Sequence, residues 1–345
     1  MSVPGIRRYL RQIVGLLLPI LLSLLAGALL ILAAGQNPLP TYADLFEAGF
    51  GCATGPGRCA VLTALQFATP LIFSGLSATV ALRGGFFSIG QIGQMLFGAA
   101  AASWLGGYVS LPPVVHAAVA LIGAALLGGL WGFVPAFLKQ MIGVNEILAT
   151  LLLNPIASVL VGLVWLPRVA ETARLSPLIA STKLSFGLFL ALAAAVSIYF
   201  FLWRTTSGME IRAQANAPRF ALYGGMPIYK PAFLSMALSG ALAGLAGGVE
   251  VLGVHYHFVS NFSAVNDFDG LIIAFAGHLH PAGVVLFAFL LGGLRTGSIV
   301  GLQIRSGIPR ELGGALIAFM LIFIATSRLA RLESESTKIP ETFQS

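Results

Sequence analysis

Long apolar runs separated by short polar connections dominate the chain. They cover approximately residues 13–34, 61–82, 86–107, 113–137, 143–166, 184–203, 231–254, 281–300 and 311–327, with a shorter, more polar run near 266–279. A helix crosses a hydrocarbon layer of about 30 Å with roughly 20 apolar residues, at a rise of about 1.5 Å each. The pattern therefore predicts an all-α polytopic membrane protein of about ten transmembrane helices, the run near 266–279 making either a further crossing or a half-helix. The remaining polar segments are 35–60, 167–183, 204–230, 301–310 and the tail after Arg328, none of which reads as a separate soluble domain. Residues 1–345 are expected to form a single membrane domain.

Composition agrees with that pattern. Of the 345 residues 57% are hydrophobic and 9% charged, and the mean hydropathy is +0.92. A soluble domain carries about 25% charged residues, so an ordinary cytosolic enzyme, a disordered chain and a nucleic-acid binder are all excluded. The net charge of +7 then reflects basic loops held at a negatively charged cytoplasmic face. Arg7, Arg8 and Arg11 precede the first run and place the N-terminus inside. Ten crossings put 12 of the 19 basic residues inside, Arg83, Lys139 and Arg212 among them, and six outside, with Arg295 within a span. The expected topology is N-in and C-in, with residues 1–12, 204–230 and 329–345 cytoplasmic and 35–60 periplasmic. A cleaved signal peptide is the competing reading of residues 1–35. Its core is unusually long and no small-x-small site follows, which favours an uncleaved anchor.

Two polar segments carry specific chemistry. Cys52 and Cys59 flank a Gly/Pro-rich turn in GCATGPGRC; in an oxidising compartment they are either a disulfide or two free thiols on a loop. Their spacing and the lack of neighbouring ligands argue against a zinc site. Segment 204–230 is long for a simple turn. Between Arg212 and Tyr223 it predicts a short helix, with Asn216 as cap, Pro218 in the first turn and Gly224-Gly225 as its end. Such a helix either docks another protein or rests on lipid headgroups.

That segment, RAQANAPRFALYGGM, resembles the cytoplasmic coupling segment of bacterial ABC-importer permeases of the branched-chain amino acid, ribose and simple-sugar class. Four further blocks are similar to its nucleoside and simple-sugar branch, in the same order. They are PLIFSGLSATVALRGGFFSIGQIGQMLFGAAAA at 70–102, LKQMIGVNEILATLLLN at 138–154, LSGALAGLAGGVEVLG at 238–253 and FDGLIIAFAGHLHPAGVV at 268–285. The resemblance implies ten helices in a bacterial inner membrane. It implies a second, non-identical permease, two ATP-binding subunits that hold ATP and Mg, and an extracytoplasmic binding lipoprotein. It makes Arg212, Gln214, Asn216, Arg219, Ala221, Leu222 and Gly224 the residues that couple to the ATPases. The chain departs from the family pattern at Ser88, where Asn is usual, and at Ala215, where Gly is usual. No G-x-x-x-x-G-K-S/T phosphate loop occurs, so neither ATP hydrolysis nor a cofactor is expected of this chain.

Polar residues inside apolar runs need a purpose, because an unpaired polar group in lipid is costly. Gln91 and Gln94 share one helical face beside Gly90 and Gly93; with Ser88 they are candidates for lining a path, or for bonding helices together. Asn154, followed by Pro155, either lines the path or satisfies carbonyls freed by the proline. Glu146, within reach of water or Lys139, is expected to form a local salt bridge or to serve as a helix-start charge. Glu250, Asp267 and Asp269 are candidates for an outer mouth, and Arg83 is read as a positive-inside anchor. The pairs His255/His257 and His278/His280 lack further ligands and fall on opposite sides, so no metal site is predicted. Spans two to five and seven to ten would run in opposite senses, as an inverted repeat requires. With this layout, the family resemblance implies the path-forming permease subunit of an ATP-driven importer for a nucleoside or simple sugar. The alternative is an ion-coupled carrier in which Asp267, Asp269 or Glu250 titrates.

Overall fold

The computed structural model describes residues 21–22, 24–52, 59–179, 182–227, 229–260, 268–307, 314–315 and 318. Among them every regular element is helical, apart from isolated bridges joining Cys52 to Cys59 and Pro177 to Ser185. The α-helices are α1 Leu24–Ala33, α2 Pro38–Phe50, α3 Ala60–Arg83, α4 Gln91–Tyr108, α5 Val115–Ile142, α6 Glu146–Gly162, α7 Gly187–Arg204, α8 Thr206–Asn216, α9 Pro218–Tyr223, α10 Tyr229–Glu250, α11 Asp269–Ala276 and α12 Pro281–Thr296. Helices α10 and α12 continue as π-helical turns at Val251–His255 and Gly297–Arg305.

Residues 52–293 form one compact unit. At its centre α10 packs on α3, α4 and α5. The α5–α10 seam is built from small residues in register: Gly128 and Gly132 face Gly240 and Gly244. A methyl group on Gly128 would lie 2.6 Å from both the Gly240 carbonyl oxygen and the Gly244 Cα, and one on Gly132 2.6 Å from the Met236 oxygen. Lipid tails are as apolar as leucine, so backbone-to-backbone approach of this kind is what drives helices together in a membrane. Helix α6 touches mainly α4 and α5. It leaves Leu148, Leu152, Ile156 and Val159 exposed, a surface suited to hydrocarbon.

The second compact unit comprises residues 1–51 and 294–345. Here Leu45 of α2 meets Ile31 and Leu302 in a small buried cluster. Asp44 accepts a hydrogen bond from Ser306 at 3.0 Å, and Arg305 pairs with Glu47 at 3.4 Å.

The helices depart from the hydropathy runs in several places. Segment 35–60 is not mainly a loop. Asn37 caps α2 by accepting from the Leu39 N–H at 3.2 Å, and Pro38 supplies a first-turn φ. The polar residues of α2 lowered its hydropathy without breaking its periodicity. Helices α1 and α2 meet at 114°. The run at 86–107 becomes helical only at Gln91, after a break from Gly84 to Gly90. Helix α11 has eight residues, about 12 Å at 1.5 Å each, which is the length of a half-helix. Among the described residues five helices are individually long and apolar enough to cross a membrane: α3, α5, α7, and α10 and α12 with their π-helical continuations. The bent α1–α2 pair is a sixth candidate. The run at 311–327 and the segments 1–12 and 329–345 lie almost wholly outside the described residues.

Candidate functional site

The break between α3 and α4 gathers buried polar side chains in the larger unit, among them Ser88, Gln91, Gln94, Thr150 and Asn154. Gly84 ends α3, and Gly85 follows at φ +79°, a left-handed conformation that favours glycine. Phe86 to Ile89 belong to no regular element, and α4 starts at Gln91. A helix start inside an apolar bundle exposes N–H groups with no partner of their own, and side chains of α6 supply most of the acceptors. Thr150 Oγ1 accepts from the Ile89 N–H at 3.2 Å. Asn154 Oδ1 accepts from the Gly93 N–H at 2.9 Å, while its Nδ2 donates to the Ile89 carbonyl at 2.9 Å. The Ser88 hydroxyl takes the Gly90 N–H at 3.4 Å.

The two glutamines are placed differently. Gln91 and Gln94 are each only 1% exposed. Gln91 Nε2 donates to the Ser88 carbonyl at 3.1 Å, but among the described residues Oε1 of Gln91 and Oε1 of Gln94 accept no hydrogen bond. Trp131 Nε1, beside Gly93, has no acceptor either. A buried polar atom without a partner costs about 1–3 kcal/mol. These three atoms are therefore where a solute carrying its own donors and acceptors would gain most. By contrast, the open cleft of about 410 Å³ between α4, α5 and α6 is lined by side chains such as Phe97, Trp104, Leu126 and Leu160, a surface suited to lipid tails.

The structure brings Ser88, Gln91, Gln94 and Asn154 to one place, where α4 meets α6. Asp269 stands apart from them, buried in the first turn of α11, which packs on α3. Asp267 lies outside the described residues. Glu250 is not a solvated mouth residue: it is 3% exposed and pairs with His255 at 3.1 Å. Glu146 and Lys139 form the expected ion pair at 2.7 Å, and Lys139 also stands 4.6 Å over the Phe86 ring. Cys52 and Cys59 are disulfide-bonded. No cluster of three or more metal-ligating side chains occurs among the described residues.

Segment 204–230 folds as two short helices. Thr205 caps α8, accepting the Gly208 N–H at 3.1 Å. Asn216 does not cap α9: its Nδ2 donates back to the Arg212 carbonyl at 2.9 Å. A side chain at the end of α8 reaches its own helix more easily than the next one, so Ala217 precedes α9 and Pro218 opens it. At the end of α9 the Gly225 N–H bonds Leu222 and the Met226 N–H bonds Ala221, with Gly225 at φ +71°. The expected coupling residues divide by exposure. Asn216, Arg219, Leu222 and Gly224 are exposed, as is Tyr223; Ala221 is buried, while Arg212 and Gln214 are half-buried.

Sequence reasoning overlooked Thr150, Trp131, Trp203 and the role of Arg83. Arg83 does more than anchor a helix end: Nε and Nη2 donate to the carbonyls of Leu279 and His278 at 3.2 and 3.4 Å. Its position before Gly84-Gly85 was the available signal, because a charge at a break has backbone carbonyls within reach.

Residues 60–325 match the profile of the branched-chain amino acid transport system / permease component family. The chain is 37% identical to a guanosine ABC transporter permease protein of Bacillus subtilis, over 91% of this chain and 93% of that protein. It is 30% identical to a nucleoside ABC transporter permease protein of Lactococcus lactis, over 91% of each. A glucose ABC transporter permease protein of Haloferax volcanii is 27% identical, over 90% of this chain and 86% of that protein. No solved structure matches the chain.

Proposed function

We propose that this chain, which belongs to the family of permease components of branched-chain amino acid transport systems, passes a nucleoside across the membrane as one subunit of an ATP-driven importer. The observation that carries the substrate class is the 37% identity to a guanosine permease protein along nearly the whole of both chains, with the glucose permease protein more distant at 27%. The unpartnered oxygens of Gln91 and Gln94 support it. Both are acceptors, and a nucleoside offers amide, amine and hydroxyl donors to them.

In this reading the chain has about ten spans, with both termini in the cytoplasm of a bacterial inner membrane. It runs as an inverted repeat whose broken helices, the α3–α4 break and α11, border the path. Ser88, Gln91, Gln94, Asp267 and Asp269 line that path, and Asn154 holds its first break in shape. The exposed face of α8 and α9 docks an ATP-binding subunit. Two such subunits, holding ATP and Mg, a second non-identical permease and an extracytoplasmic lipoprotein complete the importer.

The test is uptake by proteoliposomes carrying the whole assembly. Labelled guanosine should accumulate only when ATP is supplied on the ATPase side, and other nucleosides should compete while glucose does not. Accumulation driven by a proton or sodium gradient without ATP would overturn the mechanism. Competition by glucose alone would overturn the substrate class.

A further inference from the structure

We infer that Trp203 is the junction through which movement of α8 reaches the turn that closes α11. The inference rests on the reading of α8 and α9 as the docking arm. Trp203 is the penultimate residue of α7, half-buried, two residues before the Thr205 cap of α8. Its ring gathers groups from three other elements. The Arg83 guanidinium at the end of α3 lies 5.2 Å from the ring centroid, and that of Arg212, on α8, lies 5.7 Å away. The His280 ring, in the turn after α11, lies 5.2 Å away. Tyr199, one turn earlier on α7, stacks on Trp203 at 5.5 Å and also meets His280 at 5.5 Å.

Arg83 is held on both sides. While it stands over Trp203 it donates to the carbonyls of His278 and Leu279. Those two residues have φ of 59° and 53°, a left-handed pair that non-glycine residues adopt only when the surroundings enforce it. The turn is thus pinned by a guanidinium whose own position is set by an indole. Neither Arg83 nor Arg212 pairs with a carboxylate among the described residues, so the electron-rich indole is the surface they share. A shift of α8 that moves Arg212 disturbs the ring, then Arg83, then the backbone at 278–279.

Helix α8 reaches the other break as well. A methyl group on Gly85 would lie 3.3 Å from the Ala215 Cα, so the backbone of α8 rests against the start of the α3–α4 connection. One short helix therefore touches the first broken segment directly and the second through Trp203.

The experiment compares W203L, W203F and R83K with the wild type in the full assembly, measuring ATPase co-purification, ATP hydrolysis and guanosine taken up per ATP. W203L should keep the bound ATPase and its hydrolysis while uptake per ATP falls about two- to thirtyfold, the range expected when one link in a coupled network is cut. W203F keeps an aromatic face and should recover most of that ratio. R83K keeps the charge but loses the fork that spans two carbonyls, and should uncouple as W203L does. An unchanged uptake per ATP in W203L would overturn the inference, as would equal losses in W203L and W203F. Should W203L fail to accumulate in the membrane, R83K and W203F decide by the same ratio. Failure of the wild-type chain to bind any ATPase would instead defeat the docking reading on which the inference rests.

Discussion

Asn154 on α6 accepts the N–H of Gly93 on α4 at 2.9 Å, and through its other amide atom donates to the carbonyl of Ile89. One side chain thus satisfies a donor and an acceptor that the late start of α4 leaves inside the bundle. Removing it strands both groups. N154A should lower stability by roughly 2–6 kcal/mol, taking about 1–3 kcal/mol for each buried group left unpaired. N154L should fare no better despite filling the space. Thermal unfolding of the detergent-solubilised chain measures the loss; a midpoint within a degree of wild type in both variants would show that water or a neighbour replaces the amide.

Gln91 and Gln94 predict the opposite sign. Their Oε1 atoms are buried and unbonded among the described residues. Replacing Gln91 also strands the Ser88 carbonyl that its Nε2 serves, so the clean variant is Q94M, which removes an uncompensated acceptor and keeps the volume. Stability should hold or rise, while nucleoside affinity falls by about tenfold, or about 1.4 kcal/mol, for the loss of one hydrogen bond to the solute. Substrate titration of uptake, set beside the unfolding midpoint, separates the two effects. A variant that unfolds earlier yet transports with unchanged affinity would make the glutamines bundle-holding residues only.

The contrast between Asn154 and the glutamines shows where sequence stops being legible. All three stood out as polar residues in apolar runs, and the hydropathy pattern placed the long helices well because burial in lipid demands continuous apolar stretches. It could not show that α4 begins six residues after α3 turns at Gly85, since Phe86, Phe87 and Ile89 are as apolar as any helix. Only the break gives Asn154 two backbone partners while leaving the side-chain oxygens of the glutamines none among the described residues. Helix α2 was missed for the converse reason: Thr41, Asp44 and Glu47 interrupt the apolar run, although Leu45 meets Ile31 and Leu302 on its buried side. Segment 204–230 was readable as punctuation, Pro218 and Gly225 marking the ends of α9. Which of its faces turns inward depended on contacts from Gly85, far away in sequence, and from Trp203 at the end of α7.

At the α5–α10 seam a single methyl group should matter. G128A places its Cβ 2.6 Å from backbone atoms of both Gly240 and Gly244, and backbone cannot swing aside as a side chain can. The two helices must separate, at a cost of about 1–3 kcal/mol typical of overpacking. Gly162, at the end of α6, has nothing within 4 Å of the same added methyl. G162A should therefore be neutral or slightly stabilising, because alanine is the better helix former by about 0.5–1 kcal/mol. Equal unfolding midpoints for the two variants would mean the seam is looser than its geometry requires.

Docking of an ATP-binding subunit is best probed where the chain has least structural stake. Leu222 is 53% exposed and Tyr223 89% exposed at the tip of α9, whereas their neighbour Ala221 is 5% exposed. A charge at Ala221 would disrupt the arm itself and says nothing about a partner. L222D alters a side chain that the fold does not bury, so the unfolding midpoint should stay near wild type. An exposed leucine at an interface is an anchor when a pocket receives it, and a charge there costs on the order of 2 kcal/mol or more. Co-purified ATPase should accordingly fall by at least about tenfold, with uptake falling in step. R219E, one turn earlier and also exposed, should weaken docking in a salt-dependent way, because a rim charge acts mainly through screened long-range attraction. Retention of the ATPase by both variants at low and at high salt would move the motor's seat away from α9 altogether.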